Sequence, residues 1–137
     1  MNEETKIIRD DVYEEIAATF QCVEVLELDK ALKDCGIESK ELRRKICDRY
    51  FFAIGNFHDQ YWFEAEGKKF HPMLCFSETF LDTDTDETKL GTVYAKSQYF
   101  EFHEYSGGAV DIHFDEEQND NPIEFGIVDT DETFSTK

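Results

Sequence analysis

Apolar residues recur every three or four positions as far as Ile54, and at alternate positions from Tyr61 onward. A helix repeats every 3.6 residues and a strand every two, so this change of period splits the chain into a helical first half and a β second half. Val12, Ile16, Phe20 and Val23 mark the first helical stripe, behind the N-terminal acids Asp10 and Asp11. A second register of Val25, Leu28, Leu32 and Cys35 leads to Gly36. The phase shift from Gln21 to Glu24 implies either a kink or two consecutive helices.

Ser39 then stands as the N-cap of a further helix with the inward stripe Leu42, Ile46, Tyr50 and Ala53, widened by Cys47 and Ile54. Gly55-Asn56 is its expected stop. The outward face of that helix carries Lys40, Arg43, Arg44 and Lys45, a concentrated positive patch suited to pairing with the protein's own carboxylates.

In the second half, Tyr61 to Ala65, the turn Glu66-Gly67 and Lys68 to Phe70 read as a β-hairpin. Its register sets Phe63 opposite Phe70 and Glu64 opposite Lys69, both favourable cross-strand pairs. The second strand is expected to run on through His71 to Phe76, with Pro72 at an edge or a bulge. A second hairpin is read from Tyr99 to Tyr105, a Ser106-Gly107-Gly108 loop, and Ala109 to Asp115. Pairing Tyr105 with Ala109 places Phe102 opposite Ile112 and Phe100 opposite Phe114 on one face. Ile123, Phe125 and Ile127 supply a last strand, followed by a frayed tail.

The fold class expected is therefore α+β: two or three N-terminal helices packed on one face of an antiparallel β-sheet of four to six strands. The chain of 137 residues is read as one domain, with a helical part over about 8–55, a β part over about 60–128 and an acidic tail over 129–137. Thirteen Phe and six Tyr supply enough apolar surface to offset the entropy of ordering.

Charge constrains partners more than fold. The net charge is −18, with 32 acids against 14 bases. From Ser97 to Thr136 there is no Lys or Arg, and there are eleven carboxylates. A field of this sign argues against nucleic acid or an anionic membrane as ligand and for a basic protein surface. A small soluble domain needs only about 2–8 net charges, so the excess points to a use or to a saline habitat. Cys22, Cys35, Cys47 and Cys75 form no C-x-x-C pair, and no apolar leader precedes them. They are expected to be reduced, mostly buried thiols of a cytoplasmic protein.

Three constellations could carry chemistry. On the outer face of the second hairpin, His103 would oppose Asp111 and Glu101 would oppose His113, beside Tyr99, Tyr105 and Asp115. His103 and His113 are thus weak metal candidates, since imidazole and carboxylate suit Zn²⁺, or members of an acid–base pair. The ordinary alternative is a solvated ladder of opposite charges. Asp82, Asp84 and Asp86 have the alternation of a Ca²⁺ loop, but Glu87 stands where Gly is needed and Val93 where the bidentate Glu is needed. His71 and Cys75 would share a strand face at ~13 Å, too far for a thiol–imidazole couple, and read instead as an edge histidine and a core cysteine. His58-Asp59 could fold back to supply a base. No cofactor and no catalytic residue is implied.

The leading expectation is an acidic interaction domain that binds and inhibits a basic, nucleic-acid-binding protein. It would be an immunity protein against a nuclease toxin or a phage-type inhibitor of a nuclease complex. The partner-binding face would comprise Glu101, Glu104, Asp111, Asp115, Glu116, Glu117 and Asp120, anchored by Tyr99 and Tyr105. The alternatives are a scaffold or regulatory domain, monomeric or homodimeric, and thirdly a small enzyme built on the 99–115 segment.

Overall fold

A single uninterrupted helix, α1 (Val12–Asp34), opens the helical half of the computed structural model, which describes residues 3–115 and 123–128. The alternative of two consecutive helices meeting near Gln21 is thereby excluded. The buried row of α1 is Tyr13, Ala17, Gln21, Val25 and Asp29, at steps of four. Gln21 and Asp29 belong to it because they are bonded inside the protein, and apolar periodicity cannot register them. The helix ends at Gly36, whose φ of 91° is the left-handed conformation that glycine adopts without strain. There the Gly36 N–H donates to Lys33 O and the Ile37 N–H to Leu32 O, satisfying two carbonyls at the helix end.

Ser39 caps α2 (Lys40–Gln60) as expected, its Oγ accepting from the Leu42 N–H at 3.0 Å. The expected inward stripe of α2 is rotated by about one residue. Arg43, Cys47, Phe51 and Gly55 are buried, whereas Leu42 and Tyr50 are half-exposed. Arg43 therefore leaves the outward basic patch, drawn inward by Asp29. Nor does Gly55 stop the helix. A Cβ there would lie 2.8 Å from the backbone N and Cα of His103, so glycine allows α2 and the following helix to touch at backbone distance.

That following helix is α3 (Phe102–Asp115), and it replaces the second hairpin. The segment satisfies both periods. Phe102, Ser106, Ala109, Val110 and Phe114 form a helical face, and all five are buried, while Gly107 and Gly108 face solvent. Each interior glycine costs a helix roughly 1 kcal/mol against Ala. Burying Phe102, Val110 and Phe114 returns roughly 1.5–3 kcal/mol apiece, so docking decides the conformation. The partner strand 123–128 is not formed either; it holds only an isolated bridge at Val128.

The β elements are short. β1 (Lys6–Ile8) runs parallel to β5 (Thr92–Tyr94), and β4 (Phe76–Ser77) pairs antiparallel with β5, giving the order β1-β5-β4. β2 (Phe63–Ala65) and β3 (Lys68–Phe70) form a separate hairpin in the expected register, Phe63 opposite Phe70 and Glu64 opposite Lys69. Its strand stops at Phe70 and does not continue through Pro72. Among the described residues the architecture is thus α+β, but with two small sheets of three and two strands, one parallel pairing, and one helix C-terminal to the strands.

Between the helices lies a core of Val25, Cys47, Phe51, Ala109, Val110 and Phe114. A second core of Tyr13, Ala17, Phe100 and Phe102 seals the start of α1 against Leu74, Phe76 and Tyr94. All four cysteines are unpaired; Cys47 is buried, but Cys35 and Cys75 are exposed, against expectation. Among the described residues no helix is long and apolar enough to cross a membrane.

Candidate functional site

Two buried carboxylates hold the two ends of α3. Asp59, at the end of α2, has a side chain 1% exposed. Its Oδ1 accepts from the Phe102 N–H at 2.7 Å and its Oδ2 from the His103 N–H at 2.9 Å. Those are free donors of the first turn of α3, so Asp59 caps that helix from another element. Asp59 also accepts a hydrogen bond from His103 Nδ1–H at 2.6 Å and lies 3.3 Å from Lys96 Nζ. Burial alone would raise its pKa, but the His103 and Phe102 donors and the Lys96 charge outweigh it and hold the carboxyl below its usual range.

Asp29 performs the matching task at the other end of α3. It accepts from Arg43 Nε at 2.6 Å and from His113 Nε2 at 2.9 Å, joining all three helices. Arg43 also donates to the carbonyls of Ile37 and Glu38, closing the turn between α1 and α2. Against the upward pull of burial, the His113 and Arg43 hydrogen bonds and charges keep Asp29 ionised below its usual pKa.

The two histidines are therefore spent on different carboxylates. Ten residues of helix separate them by ~15 Å, so the expected His103–Asp111 and Glu101–His113 pairs do not form. What forms around His103 is different. Glu101, His103 and Glu104 each bring one ligand atom within 4.8 Å of the others, and His103 Nε2 stands 3.9 Å from Glu101 Oε1. With Nδ1 committed to Asp59, only Nε2 remains available, the orientation in which a carboxylate-held imidazole ligates metals.

Of the expected partner-binding residues, Tyr99, Glu101, Glu104 and Tyr105 come together at the start of α3. Tyr99 is 83% exposed, and Tyr105 donates its hydroxyl to Glu14 of α1 at 2.9 Å. Glu14 thereby joins the face, a residue that sequence reasoning missed because nothing local links it to Tyr105. Asp111 and Asp115, one helical turn apart, are instead both bound to Arg44 of α2. Within the basic patch on α2, Arg43 is thus neutralised by Asp29 and Arg44 by this pair. Glu116, Glu117, Asp120 and the tail lie outside the described residues.

The acidic loop closes its own turns. Asp82 accepts from the Asp84 N–H and Thr85 Oγ1, and Asp86 from the Thr88 N–H and hydroxyl. These bonds hold both carboxyls below the usual range. His71 and Cys75 lie on no strand; they line one cavity with His58, between α2 and the loop leading to β4. A groove along α2 and α3 holds His103 and Glu104 but neither His113 nor Tyr99, so it does not gather the residues of the enzyme reading.

Comparison with family models, with characterised proteins and with solved structures found no match.

One carboxylate departs in the opposite direction. Burial in α1 raises Glu24 from 4.5 to about 7. Between those values the folded state keeps a proton that the unfolded chain releases, so this contribution is full below about 4.5 and lost as pH rises through 7. Asp29 and Asp59 act in reverse: theirs is full above about 4 and lost as pH falls through their lowered values. Urea midpoints should therefore peak near pH 5 and fall on both sides. Glu24→Gln should flatten the decline toward pH 8, raising stability there by on the order of 1 kcal/mol once partial exposure is allowed for. An unchanged decline would assign it to general charge repulsion.

Proposed function

We propose that this protein is an acidic interaction domain that docks on a basic, nucleic-acid-binding protein and blocks it. The supporting observation is the face where α1 and α3 begin. Glu101 and Glu104 stand together there beside His103, and Tyr105 donates its hydroxyl to Glu14. The exposed Tyr99 lies two residues before Glu101, and Asp59 caps the turn that carries them. An exposed tyrosine beside a group of carboxylates suits a surface evolved for phosphates: the ring supplies desolvated contact and the charges supply steering.

The test begins with capture of the partner on immobilised protein, followed by elution in rising salt. The captured protein is then assayed for nucleic-acid binding with and without this domain. Competition is expected. The triple variant Glu14→Lys, Glu101→Lys, Glu104→Lys should associate ~10–10³-fold more slowly at low salt, with the gap closing as salt rises. Equal association rates would remove this face from the proposal. A partner that binds nucleic acid undisturbed would remove the inhibitor reading and leave a scaffold.

A further inference from the structure

The strands β1 and β5 are parallel, and both end at the mouth of a cavity of about 370 Å³. The residues that follow them, Arg9 and Ala95-Lys96, form one side of it, and the segment Pro72–Cys75 forms another. In a chain where acids outnumber bases 32 to 14, none of the twelve lining residues is an acid. Four of them are nitrogen bases: Arg9, Lys96, His58 and His71.

These groups are incompletely used by the protein itself. Arg9 donates through Nε to the Lys96 carbonyl at 2.7 Å and has no carboxylate partner among the described residues. Lys96 faces Asp59, whose oxygens are shared with His103 and the first turn of α3. His58 packs its ring on Phe102 at 5.2 Å, while its Nδ1 is buried without a hydrogen-bond partner. Burial, with the nearby His71 and Lys96 charges, outweighs Asp59 and lowers the pKa of His58. His71 is oriented by donating Nδ1–H to the Tyr61 carbonyl at 2.6 Å. The remaining wall is mostly apolar, Ile7, Pro72, Met73, Leu74 and Phe102, with the Tyr13 hydroxyl turned to the Leu74 carbonyl at 2.6 Å and the Cys75 thiol beside it.

From this arrangement we infer that the cavity binds a small organic anion, a carboxylate with an apolar tail. The head pairs with Arg9 and Lys96, and the tail lies against Leu74, Pro72 and Phe102. The volume falls within the ~300–1,000 Å³ of small-molecule sites, and a mostly apolar wall with a few convergent polar groups is their usual make-up. A charge-assisted, two-pronged contact with guanidinium supplies orientation, and burial of the tail supplies affinity. The acidic exterior lowers the entry rate of any anion, so the site selects ligands whose tail contributes binding of its own.

The probe is hexanoate, with hexanol as the uncharged control, followed by amide NMR and calorimetry on the whole chain. Hexanoate should bind saturably at ~1 mM or tighter, the range its few heavy atoms support, with shifts at Arg9, Leu74, Ala95 and Lys96. Hexanol should bind about tenfold more weakly, and Arg9→Gln should cost hexanoate about tenfold without affecting hexanol. Should Arg9→Gln disturb the fold, Met73→Glu offers a second route. That side chain is 77% exposed, and a carboxylate placed there should repel hexanoate alone. Absence of saturable shifts, equal affinity for both probes, or insensitivity to both substitutions would overturn the inference.

Discussion

Asp29→Ala should lower the free energy of unfolding at pH 7 by about 3–5 kcal/mol, the cost of leaving a buried charge without its partner. Arg43 and His113 both point at this carboxylate, whose side chain is 4% exposed, and neither has another carboxylate within ion-pair distance among the described residues. For a domain whose total stability is ~5–15 kcal/mol, that loss is a large fraction. Urea titration measures it directly. The double variant Asp29→Leu, Arg43→Met should recover most of it, because removing both charges removes the desolvation cost with them. The recovery has a limit: Arg43 also serves the carbonyls of Ile37 and Glu38, which would then lose two donors. A loss below ~0.5 kcal/mol for Asp29→Ala would mean that water reaches Arg43 and that the network is ornamental.

Asp59→Ala should cost about 3 kcal/mol and unfasten the start of α3 before the rest of the protein. Loss of an N-cap alone costs ~0.5–2 kcal/mol, and each donor left unsatisfied in the interior adds ~1–3 kcal/mol. Two backbone N–H groups and the His103 imidazole lose their acceptor together. Native-state hydrogen exchange should show faster exchange at Phe102 to Tyr105 than at Val110 or Phe114. Asp59→Asn keeps one acceptor oxygen and should fall between the two. Because Glu101, Glu104 and Tyr105 ride on this turn, partner binding should weaken in the same order as the cap. Uniform acceleration of exchange across α3 would show instead that the helix melts as one unit.

Local chemistry was legible wherever residues act on near neighbours. The Glu66-Gly67 turn and the alternation around it specified the first hairpin and its register. Ser39 and Gly36 marked helix ends through bonds made within a few residues. Face assignment on the helices held at Val25 and Cys47, with Leu28, Leu32 and Ile54 packed against that core. It went astray elsewhere for one reason in both α1 and α2. Gln21, Asp29 and Arg43 are buried polar residues, and their partners Phe102 and His113 lie about eighty positions away or on a neighbouring helix. The parallel pairing of β1 with β5 was invisible for the same reason, since Lys6 meets Thr92 across most of the chain.

By itself the sequence determined the α+β composition, the first hairpin, the end of α1 at Gly36, the start of α2 at Ser39 and the excess of negative charge. These depend on propensities, on turn chemistry and on counting, all of which act locally or sum over residues. The conformation of Phe102 to Asp115 was decided by tertiary structure alone. Its pattern fits a hairpin and a helix about equally, and the choice rests on an acceptor supplied by Asp59, a surface opened by Gly55 and a charge held at Asp29. With that choice came the site. Tyr105 meets Glu14, and Asp111 and Asp115 turn to Arg44, because a helix sends residues four apart in one direction and a strand sends alternate ones.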